Sequence, residues 1–213
     1  MHKIRASFFA LALGACLGSA QAEVFGPTGL FDSATLYNGQ GVDLNLKEVP
    51  KAIFSGDWKE ERSYFTGIGL GKTRNTLGGS FPGLQPGPFG GIKHGYELIY
   101  LQHRGRQTNA ELAASYWLRT PDLELGPIGV NFAAGAGLSH AFGTPSYEDG
   151  PADDPSKRYR TQLLATFEFE WKASAAPNFS LVTRLHHRSG VYGLVAPRRV
   201  GSNFAVIGLR YTF

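Results

Sequence analysis

The chain closes on Asn203-Phe204-Ala205-Val206-Ile207-Gly208-Leu209-Arg210-Tyr211-Thr212-Phe213. Ala205, Ile207, Leu209, Tyr211 and Phe213 fall on one side of this stretch, and Phe204, Val206, Gly208, Arg210 and Thr212 on the other. Successive side chains of a strand point to opposite faces, so a period of two predicts a β-strand with two unlike faces. From Ala205 onward that first face is apolar and ends in aromatics. The other mixes bulky apolar, small and charged residues.

The same period recurs upstream. Asn109 to Arg119 sets Ala110, Leu112, Ala114, Tyr116 and Leu118 against Asn109, Glu111, Ala113, Ser115, Trp117 and Arg119. Val130 to His140 sets Val130, Phe132, Ala134, Ala136 and Leu138 against Asn131, Ala133, Gly135, Gly137 and Ser139. Thr161 to Trp171 sets Leu163, Ala165, Phe167, Phe169 and Trp171 against Gln162, Leu164, Thr166, Glu168 and Glu170. Strands are predicted near 42–48, 62–73, 95–104, 109–119, 129–141, 159–172, 178–189 and 202–213. Residues 23–40 read as an irregular segment, and 74–94 and 143–157 as long loops.

Composition narrows the class. Among 213 residues, 28 are Gly and 18% are charged, below the roughly 25% of a soluble domain. Gly costs about 1 kcal/mol in a helix interior, which disfavours a helical bundle. A secreted sandwich and a membrane barrel both remain compatible with these numbers. Two details favour the barrel. The mixed faces combine Gly and Ala with charges such as Glu111, Arg119, Glu168, Glu170, Arg184 and Arg210, as the crowded interior of a narrow barrel needs. The apolar faces end in Tyr116, Tyr159, Trp171, Tyr211 and Phe213, where an interfacial aromatic girdle would sit. The fold class is therefore read as all-β, a closed antiparallel transmembrane β-barrel of eight strands. The terminal Leu209-Arg210-Tyr211-Thr212-Phe213 also resembles the last strand by which outer-membrane proteins are recognised, and so implies the barrel-assembly machinery as a partner through Phe213.

The N-terminus agrees with export. Residues 1–22 carry Lys3 and Arg5, a short apolar run from Ala6 to Leu17, and a small-residue site at Ala20-Gln21-Ala22. This is the three-part pattern of a secretory signal. A lipoprotein-like box, Leu13-Gly14-Ala15-Cys16, overlaps it. The expected organisation is a signal peptide over 1–22 and a barrel over 23–213. Without the leader the balance is 19 Lys and Arg against 17 Asp and Glu, so basicity gives no case for nucleic acid. Cys16, the single Cys, would leave with the leader. No later run of about 18 apolar residues exists, so a membrane can be crossed only by a closed sheet. If the last strand runs inward, loops 142–158 and 190–201 are extracellular and 173–177 is a periplasmic turn. The same parity sends 74–94 to the periplasm, which means either a miscounted early strand or a loop folded against the barrel.

Two motifs invite other readings. Gly71-Lys72-Thr73 suggests a phosphate loop, but the position five before Gly71 is Thr66 and not Gly. Gly67, Gly69 and Gly71 share one face and suit a crowded interior instead. His186 and His187 are adjacent, so on a strand they point apart and cannot chelate together. No metal and no cofactor are expected.

The stretch Leu185-His186-His187-Arg188-Ser189-Gly190 carries the chemistry. His187 and Ser189 are two apart and share a face with Phe179, Leu181, Thr183 and Leu185, the face assigned to lipid. A serine hydroxyl is a weak nucleophile until a neighbouring base takes its proton, and His187 can supply that base. The plainer reading is that the two mark the polar end of a strand.

On these residues the chain resembles the PagL-type lipid A 3-O-deacylase family of outer-membrane barrels. That family has a His-x-Ser facing outward on a late strand, here His187-Arg188-Ser189. The resemblance spans about 159–213 and implies a Ser/His esterase with His187 as base and Ser189 as nucleophile. It implies lipopolysaccharide, through its lipid A, as substrate and the bacterial outer membrane as location. The family has Asn after the Ser, where this chain has Gly190. The family's orienting Glu has no counterpart, because no Asp or Glu follows Glu170. Glu148, Asp149, Asp153 and Asp154 of the neighbouring loop are the substitutes on offer. The stretch His186 to Leu194 with Gly201-Ser202-Asn203 also resembles a distinct branch of related barrels. The alternative function is a non-catalytic structural or interaction barrel, and a narrow pore is a third.

Overall fold

The closing stretch forms β9 (Gly201–Thr212) and is paired on both sides. Its partners are β8 (Phe179–Ser189) and β1 (Ser33–Asp43), the latter from Ser33 opposite Thr212 to Gly41 opposite Phe204. That second pairing joins the two ends of the sheet. The computed structural model describes residues 24–43, 55, 58–84, 89–148, 159–190 and 201–213. The other strands are β2 (Lys59–Thr76), β3 (Lys93–Gly105), β4 (Ala110–Arg119), the short β5 (Leu123–Leu125), β6 (Ile128–Phe142) and β7 (Thr161–Ala173). Every neighbouring pair is antiparallel. The ring runs β1-β2-β3-β4-β6-β7-β8-β9 and back to β1, eight strands in all. β5 pairs only with β6, through a tight turn in which Gly126 takes φ +66°, a left-handed conformation that Gly adopts without steric cost. The leader expected over 1–22 and much of the loops at 44–57, 149–158 and 191–200 lie outside the described residues.

The two faces separate as the period-two reading requires. Glu111, Ser115, Glu168, Glu170, Arg184, Arg188 and Arg210 are buried inside, while Leu112, Leu138, Ile207 and Leu209 are each about half exposed outside. An apolar outer belt around a charged, filled interior inverts a soluble protein and fits lipid outside. No helix among the described residues is long and apolar enough to cross a membrane, so the strands do so.

The first strand departs from expectation. It runs Ser33–Asp43 rather than 42–48, and its first eight residues fall in the segment read as irregular. Asn38-Gly39 is a dipeptide common in turns, yet here it lies within the strand. Here Gly39 faces inward directly opposite Phe65, and a Cβ at Gly39 would fall among the atoms of the Phe65 ring. Glycine is chosen for ring space rather than for a turn. Gly69 is similar: a Cβ there would lie 2.5 Å from Glu97 Oε1 and 2.8 Å from Tyr37 Cε2. The phosphate-loop look-alike is thus interior packing.

Ser33, Thr212 and Phe179 define one end of the barrel, called here the terminal end. The other end is the loop end. The stretch after β2 lies at the terminal end and folds against the wall. It forms α1 (Leu77–Ser80) and a single 3₁₀ turn at Pro82–Leu84, with Leu77 N–H donating to the Ile92 carbonyl. Residues 24–32 make a hook at the same end, where Phe25 packs against Phe31 and Phe213.

Candidate functional site

β8 runs from the terminal end to the loop end, so its last residues stand at the loop-end rim. Alternation turns Ser180, Val182, Arg184, His186 and Arg188 inward. Their inner partners are named ions and hydrogen bonds. Arg184 binds Glu97 at 2.7 Å and Glu168. His186 Nε2 lies 2.9 Å from Glu111, and Arg188 pairs with Glu148. These contacts fix the rotation of the strand, and Leu185, His187 and Ser189 then face outward.

His187 lies opposite Asn203 on β9 and Ala165 on β7. Its Nδ1 is 2.7 Å from Asn203 Oδ1. With the amide oxygen turned to the ring, Nδ1–H donates, and Nε2 keeps a lone pair able to take a proton. Ser189 lies two residues on, half-buried on the same face, with Gly201 as its β9 partner. Gly201 presents no side chain beside it. The structure brings His187 and Ser189 onto one face, and adds Asn203 as the group that holds the imidazole. Asn203 stands on another strand, 16 residues from His187, so no local motif in the sequence joins the two. An antiparallel register counted back from the terminal end places it opposite His187.

The acid substitutes divide. Glu148 is not beside His187. It enters the barrel mouth and accepts hydrogen bonds from Arg188, from Gln162 and, at 3.0 Å, from Ser202 Oγ. Arg188 is completely buried and needs a counter-charge, which Glu148 supplies from inside. Because Arg188 and His187 are neighbours on a strand, serving one means facing away from the other. Asp149, Asp153 and Asp154 lie outside the described residues. Among the described residues His103 and His186 pair with a carboxylate, Glu111, and His187 pairs with the amide. No group of three or more His, Cys, Asp and Glu suited to a metal ion occurs among them either.

An outward imidazole with one ring nitrogen held and a hydroxyl two residues on thus share the face turned away from the interior. The arrangement of base and amide matches the logic of Cys-His-Asn sites, in which an amide oxygen orients the imidazole.

No protein-family model and no curated protein matches the sequence. Solved structures do match the fold. The chain is similar to the outer membrane enzyme PagL, with a TM-score of 0.54 and 10% identity over 84% of this chain and 99% of that one. It is an outer-membrane β-barrel. Further similarities are to the Neisserial surface protein NspA, at 0.47 and 11% identity over 85% of this chain and 96% of that one. The N-terminal β-barrel domain of Pseudomonas aeruginosa OprF follows, at 0.42 and 11% over 86% and 98%. At these identities the likeness is one of fold. The location in the bacterial outer membrane agrees with the inverted polarity of the wall.

Proposed function

We propose that the chain is an ester hydrolase acting on lipid at the loop-end rim, with Ser189 as nucleophile and His187 as base. Asn203 is its positioning residue, and the substrate is an ester-linked acyl chain of lipid A. The observation that carries this reading is the 2.7 Å contact between His187 Nδ1 and Asn203 Oδ1. It gives the imidazole an amide partner in place of the orienting Glu that the PagL-type resemblance implies and this chain lacks at the matching position. Ser189 Oγ attacks the ester carbonyl as His187 Nε2 takes its proton. The C–O bond breaks, and the departing hydroxyl of the lipid takes that proton from Nε2. Water then attacks the acyl-serine, gives a proton through Nε2 back to Ser189, and a fatty acid leaves. No cofactor enters the balance. The fold neighbour PagL is itself an outer membrane enzyme, which supports a barrel of this shape as an enzyme scaffold.

The test is fatty-acid release from lipid A by the purified chain folded in vesicles. Wild type should release acid. Ser189→Ala should lose at least about 10²-fold, the scale at which a positioned acid–base or nucleophilic group acts. Equal release by the two would remove Ser189 from the chemistry.

A second reading, a structural or interaction barrel, is favoured by one observation. The orienting group beside His187 is a neutral amide, and among the described residues no carboxylate joins it. An amide stabilises a developing imidazolium less than a carboxylate does. No release by either protein would favour this second reading.

A further inference from the structure

At the other end of the barrel the outer wall carries a polar pocket of about 560 Å³. It lies between the 24–32 hook, the end of β2, α1 and the start of β3. Thr28, Lys72, Arg74, Ser80, His94 and Tyr116 are among its lining residues, and no carboxylate is. Tyr116 is half exposed and shares the outward face of β4 with Leu112 and Leu118, so the pocket opens toward the apolar belt at its rim. A cavity of this size suits a small polar group.

The charges are unequal. Lys72 Nζ donates to the Pro27 carbonyl at 2.7 Å and lies 3.9 Å from Asp32. Arg74 is exposed and stacks over the Tyr96 ring at 5.6 Å, with no carboxylate partner among the described residues. Its guanidinium keeps its fork of N–H donors for another acceptor.

A hydrogen-bonded chain ends in the same pocket. The Tyr116 hydroxyl meets His94 Nδ1, and His94 Nε2 is 2.7 Å from Ser80 Oγ. A neutral imidazole has one donor and one acceptor nitrogen. A phenolic O–H is a stronger hydrogen-bond donor than an aliphatic one, so the Tyr116 hydroxyl is the donor to Nδ1. Nε2–H then donates to Ser80 Oγ, and the Ser80 O–H is left to point at an acceptor. The direction of this chain makes Ser80 a donor rather than an activated nucleophile.

We propose that this pocket binds the phosphodiester of a membrane-lipid headgroup. Arg74 supplies the main charge, Lys72 a second one, and Ser80 a neutral hydrogen bond held in place by His94 and Tyr116. The lipid tails then lie along the apolar wall beside Tyr116. A bidentate guanidinium suits phosphate oxygens, and a site at the belt's edge places the phosphate at headgroup depth.

The full chain, folded in neutral detergent, is titrated with dihexanoyl phosphatidylglycerol and followed by native mass spectrometry. Parallel arms use dihexanoylglycerol, which lacks the phosphate, and inorganic phosphate, which lacks the tails. Folding of each variant is checked by its gel shift on heating. One phosphatidylglycerol should be retained, and the two partial ligands should each bind at least about tenfold more weakly. Arg74→Gln should weaken lipid retention about tenfold and Ser80→Ala severalfold, as expected for loss of a charged and of a neutral hydrogen bond. Ser189→Ala should leave it unchanged. Equal retention of the phosphate-free lipid overturns the proposal, as does inorganic phosphate binding as tightly as the lipid. So does unchanged affinity in Arg74→Gln. Labelling of Ser80 by a fluorophosphonate would also overturn it, because Ser80 would then be giving its proton to His94.

Discussion

Asn203 decides which nitrogen of His187 can act. An amide can rotate, and only its oxygen keeps the proton on Nδ1; its NH₂ would favour the opposite tautomer. Asn203→Ala should therefore lower lipid A hydrolysis about 10²-fold with little change in KM, while Asn203→Asp should retain or exceed wild-type turnover. Single-turnover fatty-acid release by the two variants measures this. Loss of activity in both alike would show that Asn203 serves only packing. His187-Arg188-Ser189 was readable from the sequence because period two fixes their faces. The partner was not, because it depends on which residue of another strand stands opposite. Glu148 illustrates the same limit. Its loop position is plain in sequence, but its commitment to Arg188 depends on the inward turn of the segment before residue 149.

At the scale of elements, strands with bulky alternating residues were legible and the glycine-bearing one was not. β9, β7, β6 and β4 each have an outer apolar row through their middle, and their faces fall where the sequence puts them. β1 was misplaced because Gly39 and Gly41 make its inner face invisible to a hydrophobic pattern. Only Phe65 of the neighbouring strand explains Gly39. The β4–β5 connection offers a test of element anchoring. Burial opposes ionisation of Asp122, but hydrogen bonds from Asn131 and Lys172 and the charge of Lys172 outweigh it and hold its carboxyl below the usual 3.8. A depressed carboxyl stabilises the fold above its unfolded value and loses that contribution as pH falls through the folded one. Asp122→Asn should thus cost about 0.5–1 kcal/mol at pH 7, within the range of partly exposed ion pairs. The difference from wild type should shrink as pH falls below about 4. Urea unfolding at pH 7 and pH 3 checks it, and a difference as large at pH 3 as at pH 7 would contradict the ionic anchor.

Over the whole molecule, the closed wall holds an inner set of ion pairs and a buried apolar cluster that includes Phe65, Ile99, Leu101, Leu164 and Phe204. Glu168 accepts from Arg119 at 2.7 Å, from Arg210 at 2.8 Å and from Arg184. Removing its charge leaves three buried guanidinium groups, of Arg119, Arg184 and Arg210, to share the carboxylates of Glu97 and Glu170, so Glu168→Gln should destabilise the barrel by about 3–5 kcal/mol. Urea midpoints in vesicles report this, and a shift under about 1 kcal/mol would mean that water already reaches the network. The same filling leaves little room for a pore. With the interior occupied by its own contacts, the chemistry proposed for this barrel is left to the outer wall. The most direct measurement is mass spectrometry of lipid A from Gram-negative cells producing wild type or Ser189→Ala at equal folded levels. Wild type should yield a species lighter by one ester-linked acyl chain, absent from Ser189→Ala. An identical acylation pattern in both would contradict hydrolysis at the His187–Ser189 site.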